Sequence, residues 1–148
     1  MFTGRRLLVI GGGDAAMEEA IGLTSYATEV VIVHRRDEFR ASPIMVKYAR
    51  SHDKISFLTP FIVEEILAGE QNTVAGARLR NLRTAETQVE PAGGVFVAIG
   101  HDPATELFRG AVELDDLGYV VVEPGSTRTS VEGVFAAGDV QDHTTARR

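Results

Sequence analysis

The residues with the clearest chemical potential form a basic cluster at positions 34–40, which read HRRDEFR. The cluster contains three arginines, although the formal net charge of the chain is −6. It directly follows the apolar run EVVIV, which is typical of a buried strand. Guanidinium groups bind phosphate and carboxylate oxygens through paired hydrogen bonds. The cluster therefore predicts a site for concentrated negative charge. The alternative is a solvated loop in which Asp37 and Glu38 pair locally with the arginines.

A glycine-rich turn, GGGDAA, lies between a predicted strand at residues 5–10 and a predicted helix at residues 14–27. Gly11, Gly13 and Ala16 match the pattern Gly-x-Gly-x-x-Ala. In such a turn the first glycine ends the strand, the second lets a pyrophosphate approach the backbone, and the small third residue lets helix and strand pack closely. The phosphates bind N–H groups at the positive end of the helix. The turn predicts dinucleotide binding, and a purely structural turn is the alternative.

The spacing between the two motifs indicates which dinucleotide is bound. Proteins selective for NAD carry an acidic residue about 20 residues after the glycines, where it binds the ribose 2′-hydroxyl. Here Gly13 lies 21 residues before His34, and this position carries no acid. A carboxylate would repel a 2′-phosphate, whereas Arg35 and Arg36 would bind it and Arg40 would close over the same group. We therefore predict a preference for NADPH over NADH.

Other elements must hold these residues in place. Pro43 follows a predicted N-cap at Ser42, which indicates a short helix over residues 42–50. The remaining patterns predict strands at KISFLT and GGVFVAIG, two or three antiparallel strands within residues 61–90, with turns near 69–72 and 84–85, and a tail containing the turn DDLG, the strand YVVVE and a buried parallel strand at GVFAAGDV. The fold class is α/β: a Rossmann-like NAD(P)-binding domain with a parallel sheet and an antiparallel β-meander.

Composition excludes several kinds of chemistry. The chain has no cysteine, so thiol catalysis and thiolate metal sites are absent from it. A pI near 5.2 argues against general nucleic-acid or membrane binding. No apolar run approaches the ~18 residues of a membrane span, which predicts a cytoplasmic protein. The four histidines are scattered, so we predict no metal site, and no residue is predicted to be catalytic.

Four motifs in order resemble the bacterial low-molecular-weight thioredoxin reductases: GGGDAAMEEA, HRRDEFRAS, GVFVAIGHDP and GVFAAGDVQDH. The resemblance extends from Arg5 to about His143. It implies an NADPH-binding domain at residues 1–102 and part of the returning FAD domain at residues 103–148. The implied function is delivery of hydride from NADPH to FAD in a flavoprotein that reduces thioredoxin. The resemblance also allows a homodimer.

The glycine turn and the resemblance together define the predicted cofactor-binding residues. The resemblance places Asp139 at the ribityl and phosphate region of the flavin, although a turn residue after a strand is the alternative for it. Ala15 stands where many members have serine, so one hydroxyl contact with the cofactor is missing. The full predicted set is Gly11, Gly13, Asp14, Ala15, Ala16, His34, Arg35, Arg36, Arg40, Ile99, Gly100, Tyr119, Gly138 and Asp139.

The chain also departs from the family pattern. It lacks the upstream glycine motif for FAD and the Cys-x-x-Cys pair, so we expect this polypeptide alone to be inactive. The family continues Asp-His-x-Tyr-Arg-Gln-Ala where this chain ends DHTTARR, and loss of one base from the corresponding codons gives that ending. We therefore expect residues 145–148 to be frame-shifted and Met1 to be an internal start. The alternatives are a relative of ferredoxin–NADP or peroxiredoxin reductases and a non-catalytic NADPH-binding module.

Overall fold

The computed structural model describes residues 2–100 and 103–141. The chain divides into two compact units, Met1–Gly100 and His101–Arg148. The expectations for Met1 and for the ending at 145–148, and the parts of the family motifs at 101–102 and 142–143, lie outside the described residues. None of the helices in the described part is long and apolar enough to cross a membrane.

Within residues 2–100, the first unit alternates strands and helices and then continues as a meander. The elements are β1 (Arg6–Ile10), α1 (Asp14–Leu23), β2 (Glu29–Val33), α2 (Pro43–Arg50), β3 (Ile55–Leu58), β4 (Phe61–Ala68), β5 (Val74–Asn81), β6 (Thr87–Pro91) and β7 (Val95–Val97). The parallel sheet has the order β3-β2-β1-β7, and a separate antiparallel sheet has the order β4-β5-β6. The predicted α/β class, with a parallel sheet and a meander, is confirmed.

After their first residues, Arg6 and Glu29, strands β1 and β2 are apolar because both faces of the parallel sheet are covered. On one face Leu7, Val9 and Ile32 pack with the buried residues of α1 and α2. On the other face Leu8, Val31 and Val33 pack against the meander. Alternate residues of β1 and β2 therefore enter two different cores, which explains the runs RLLVI and EVVIV.

Helix α1 is shorter than predicted. The expected helix reached residue 27, but α1 ends at Leu23. Thr24 is buried, and its Oγ1 donates to the Ile21 carbonyl at 2.6 Å. Lys54 Nζ donates to the carbonyls of Thr24 and Ala27 at 2.7 and 3.1 Å. These contacts satisfy carbonyl groups at the end of the helix, so the chain turns there toward β2.

Within residues 103–141, the second unit contains isolated β-bridges but no continuous β-strand. The predicted turn DDLG is confirmed, since Asp115 Oδ1 accepts hydrogen bonds from the N–H groups of Leu117 and Tyr119 at 2.9 and 2.8 Å. The strand YVVVE and the buried parallel strand at GVFAAGDV were wrong. The described residues there form isolated bridges only, and Phe135 bridges Arg128 in antiparallel fashion with a 63 % exposed side chain. A buried parallel strand needs parallel neighbours, and within residues 103–141 the GVFAAGDV segment has only this antiparallel bridge.

Candidate nucleotide-binding site

The glycine turn joins β1 to α1 at the carboxyl edge of the parallel sheet. A Cβ at Gly11 would lie 2.3 Å from the carbonyl oxygen of Ala98 and 2.9 Å from the Cβ of Ala16. A Cβ at Gly13 would meet no atom within 4 Å. Gly11 is therefore required by close packing inside the protein, whereas the space beside Gly13 is open to a ligand. This division matches the roles predicted for the two glycines.

The first turn of α1 presents hydrogen-bond donors toward this open space. In the described ranges, the backbone N–H groups of Gly13, Asp14 and Ala15 donate to no acceptor. The Gly13 carbonyl accepts from Ala16 and Met17 at 3.1 and 3.3 Å, which starts the helix. Free N–H groups at the positive end of a helix suit an anion. The turn can therefore hold phosphate groups.

His34 follows β2 and packs directly beneath the turn. Its ring stacks on Phe39 with centroids 5.3 Å apart and is only 9 % exposed. A Cβ at Gly12 would lie 2.4 Å from the imidazole, so the middle glycine leaves room for this ring. Burial lowers the pKa of His34 below the ordinary 6.5, and the charges of Arg35, Arg36 and Arg40 lower it further, against the opposing effect of a hydrogen bond to the Glu38 backbone. His34 Nε2 is buried and has no partner among the described residues.

The lowered pKa of His34 predicts a loss of stability in acid. The unfolded chain protonates this imidazole at a higher pH than the folded chain does, so protonation favours unfolding. The neutral His34 side chain contributes fully to the free energy of unfolding above pH 6.5, its pKa in the unfolded chain. This contribution is lost as the pH falls toward the lower pKa of His34 in the folded chain. Urea unfolding between about pH 5 and pH 8 should show this slope. His34→Asn should have a flatter profile, and an unchanged slope in that variant would contradict the assignment.

The arginine cluster is exposed and available. The side chains of Arg35, Arg36 and Arg40 face solvent, and none of them forms an ion pair with any residue that the structure describes. Asp37 instead forms a salt bridge with Arg83, which follows β5. Asp37 therefore does not pair with the neighbouring arginines, as the solvated-loop alternative required. The three guanidinium groups remain free to bind an anion.

Backbone hydrogen bonds fix this arginine loop, residues 34–42, against the glycine turn. The N–H groups of Arg40 and Ala41 donate to the Gly12 carbonyl at 2.7 and 3.0 Å. The N–H and Oγ of Ser42 donate to Asp14 Oδ1 at 2.7 and 2.9 Å. Ser42 was predicted as the N-cap of α2 and occupies that position, but its hydroxyl bonds Asp14 and not its own helix. The turn and the loop thus form one structure.

Most predicted site residues lie together at this edge of the sheet. Ile99 and Gly100 follow β7, which pairs with β1, and the Ala98 N–H donates to the Ile10 carbonyl at 2.8 Å. Ile99 is 72 % exposed. The structure brings together the following predicted residues of the first unit: Gly11, Gly13, Asp14, Ala15, Ala16, His34, Arg35, Arg36, Arg40, Ile99 and Gly100.

Three predicted residues belong to the second unit. Tyr119 is half-buried next to the turn at Asp115. Gly138 has φ +78° and begins the 3-10 helix Gly138–Val140, in which Asp139 is exposed. Asp139 therefore lies in a turn after an extended segment, a geometry compatible with both interpretations of it. The cofactor contacts of all three residues stay predictions.

Sequence reasoning missed three contacts that shape the site. They join Gly12 to His34, Asp14 to Ser42, and Asp37 to Arg83. The middle glycine, Gly12, was the one available signal, because the dinucleotide pattern requires glycine only at the positions of Gly11 and Gly13. The other two contacts link residues whose types are ordinary for a helix start or a loop.

The strand order, the fixed turn and the open donor groups define a Rossmann-like α/β domain. Comparison with known families identifies it further: the profile of the Pyridine nucleotide-disulphide oxidoreductase family matches residues 2–147. The chain belongs to this family.

Individual relatives confirm the resemblance to thioredoxin reductases. The chain is 54 % identical over 143 residues to a thioredoxin reductase of Mycolicibacterium smegmatis, covering 97 % of this chain and 45 % of the relative. It is 51 % identical over 143 residues to thioredoxin reductase 1, mitochondrial, of Arabidopsis thaliana, covering 96 % and 38 %. A solved thioredoxin reductase structure from Giardia duodenalis matches with a TM-score of 0.79 and 42 % identity, covering 97 % and 47 %. The chain spans less than half the length of these relatives.

Proposed function

We propose that this chain is the NADPH-binding part of a thioredoxin-disulfide reductase-like flavoprotein. One observation carries the proposal: three guanidinium groups, none with an ion-pair partner among the described residues, lie on a loop that the N–H groups of Arg40 and Ala41 bond to a glycine turn with free N–H groups. A dinucleotide with a 2′-phosphate carries negative charge at both places. The membership of the chain in a pyridine-nucleotide family supports the same ligand class.

Each group at the site has a role in binding. The N–H groups of Gly13, Asp14 and Ala15 would hold the pyrophosphate, and the open space at Gly13 admits it. Arg35 and Arg36, with Arg40, would bind the 2′-phosphate by charge-assisted hydrogen bonds. Bound NADPH supplies the hydride, so the residues of this chain contribute binding and orientation.

The proposal also assigns the two parts of the chain to different cofactor domains. Residues 1–102 would form the NADPH-binding domain and residues 103–148 a segment of the FAD domain. Tyr119 would then contact NADPH, while Gly138 and Asp139 would contact the flavin. The motif GVFAAGDV and the relatives, whose matches extend across both units, support this assignment.

We assign the full protein to thioredoxin reduction in the cytoplasm. Similarity to proteins named thioredoxin reductase supports thioredoxin as the partner. In the family chemistry, electrons pass from the nicotinamide through FAD to a disulfide of the Cys-x-x-Cys type. A Cys-x-x-Cys pair encoded in the DNA that flanks this sequence supports disulfide reduction, whereas flanking DNA that encodes the FAD glycine motif without that pair favours the ferredoxin–NADP type.

A direct titration tests the binding function. The 148-residue chain is titrated with NADPH and with NADH, and heat release or nicotinamide fluorescence is followed. We expect NADPH to bind at least about tenfold more tightly, because only NADPH places a phosphate on the arginines. Equal affinity for the two nucleotides would overturn the predicted selectivity, and no binding of either would overturn the function.

A further inference from the structure

Asp14 connects the beginnings of the two helices. It is the first residue of α1, and its Oδ1 accepts hydrogen bonds from the N–H and the hydroxyl of Ser42, the N-cap of α2, at 2.7 and 2.9 Å. The residue is half-buried, and no basic side chain among residues 2–100 and 103–141 forms a salt bridge with it. Its carboxylate is therefore bound to the arginine loop.

This arrangement accommodates an acid beside a phosphate site. The carboxylate keeps its negative charge, but Ser42 donates twice to one of its oxygens and holds that oxygen at the loop. The carboxylate also lies at the positive ends of α1 and α2, where negative charge is stabilised. The side chain of Asp14 thus binds the loop and needs no contact with the nucleotide, whereas its backbone N–H stays available to the pyrophosphate.

The contact with Ser42 completes a continuous attachment of the loop. Three successive N–H groups, of Arg40, Ala41 and Ser42, all donate to the glycine turn: the first two to the Gly12 carbonyl and the third to Asp14. Arg40 carries a guanidinium group that faces solvent. Because its own N–H and the next two N–H groups are bonded to the turn, the backbone of Arg40 keeps a defined position relative to the turn, from which the side chain extends.

We propose that Asp14 is a positioning residue for nucleotide selectivity, which acts through Ser42 to hold Arg40 beside Arg35 and Arg36 at the 2′-phosphate. This inference rests on the proposed NADPH function and extends it. The part of the nucleotide that NADPH and NADH share does not depend on this attachment. Loss of Asp14 should therefore weaken NADPH binding selectively.

The test compares Asp14→Ala and Asp14→Asn in the 148-residue chain. Asparagine keeps an oxygen that accepts both Ser42 hydrogen bonds, whereas alanine removes the acceptor. In Asp14→Ala, amide hydrogen exchange at Arg40, Ala41 and Ser42, measured by NMR without nucleotide, should become at least about tenfold faster. NADPH affinity should fall about tenfold and NADH affinity less than about twofold. Asp14→Asn should stay within about threefold of the parent in each measurement.

Asp53→Ala is the matched control, because Asp53 is exposed and its side chain forms no hydrogen bond with the described residues. It should leave exchange and affinity unchanged. Equal loss of NADPH and NADH affinity in Asp14→Ala would overturn the inference, and so would full amide protection in that variant. An Asp14→Asn variant as impaired as Asp14→Ala would overturn it too.

The parent chain separates this inference from the proposed function. If the parent chain does not prefer NADPH, both fail. If the parent prefers NADPH and Asp14→Ala keeps that preference, the inference alone fails.

Discussion

Replacing Arg35 and Arg36 together by alanine is expected to weaken NADPH binding by about a hundredfold or more and to leave NADH affinity within about threefold. Both side chains are exposed and form no ion pair within the described part of the chain, so no internal contact is lost. The parent preference for NADPH should therefore disappear. Parallel titrations with the two nucleotides at fixed salt measure the change.

A control variant that removes the same charge elsewhere distinguishes phosphate binding at the arginine cluster from the effect of the overall charge of the protein. Arg78 and Arg80 lie on β5, where they pair with Glu65 and Glu64. Their double replacement by alanine removes the same charge and should change NADPH affinity less than about threefold, because neither arginine belongs to the glycine turn or the arginine loop. If both double variants lose NADPH affinity equally, long-range charge and not a 2′-phosphate contact determines the preference.

The parts of the fold that the sequence predicts well are those in which local pattern and burial agree. EVVIV was predicted as residues 29–33 and forms β2 with the same limits, because its four apolar side chains, Val30–Val33, all enter one of the two cores of a doubly covered strand. The start of α2 at Pro43 was likewise predicted, since proline at the first helical position is favoured by its own geometry. Local signals of this kind need no knowledge of distant residues.

The incorrect predictions concern positions where distant residues decide. Helix α1 ends before the predicted limit, and Lys54, 30 residues beyond Thr24, binds the carbonyls of Thr24 and Ala27 in the segment that follows it. The strand at GVFAAGDV was predicted from apolar content alone, but a strand also requires a neighbouring backbone. In the described second unit Phe135 has one antiparallel bridge, to Arg128, and remains largely exposed.

The same distinction applies to the site. Gly13 and the arginine cluster were predicted from phosphate chemistry and Gly11 from the close packing of the turn, which the structure shows. The nucleotide contacts of these residues stay predictions. The attachment of the loop depends on contacts between Asp14 and Ser42, 28 positions apart, and between Asp37 and Arg83, 46 positions apart. No local sequence pattern predicts such pairs. The salt bridge to Arg83 occupies Asp37, which therefore does not pair with the neighbouring arginines of the cluster.

Gly11→Ala is expected to lower stability, whereas Gly13→Ala is expected to weaken nucleotide binding. At Gly11 the new Cβ would lie 2.3 Å from a backbone oxygen at Ala98, and φ is +157°, so the turn or the end of β7 must move. We expect the free energy of unfolding to fall by about 2–4 kcal/mol. At Gly13 φ is −97° and no atom lies within 4 Å, so alanine fits and stability should change by less than about 0.5 kcal/mol.

Gly13→Ala should weaken nucleotide binding although it leaves stability nearly unchanged. Its methyl group would occupy the space proposed for the pyrophosphate, so NADPH and NADH affinities should both fall by at least about tenfold, in equal proportion. Gly22→Ala is the control: Gly22 lies in α1 with nothing within 4 Å of a Cβ, and alanine there should raise stability by up to about 1 kcal/mol with no change in binding. Urea unfolding and nucleotide titration measure both quantities.

A Gly13→Ala chain that is stable and binds both nucleotides normally would show that this turn does not bind the phosphates. A stable chain that binds neither would locate the pyrophosphate at Gly13, because equal loss for the two nucleotides separates this contact from that of the arginines.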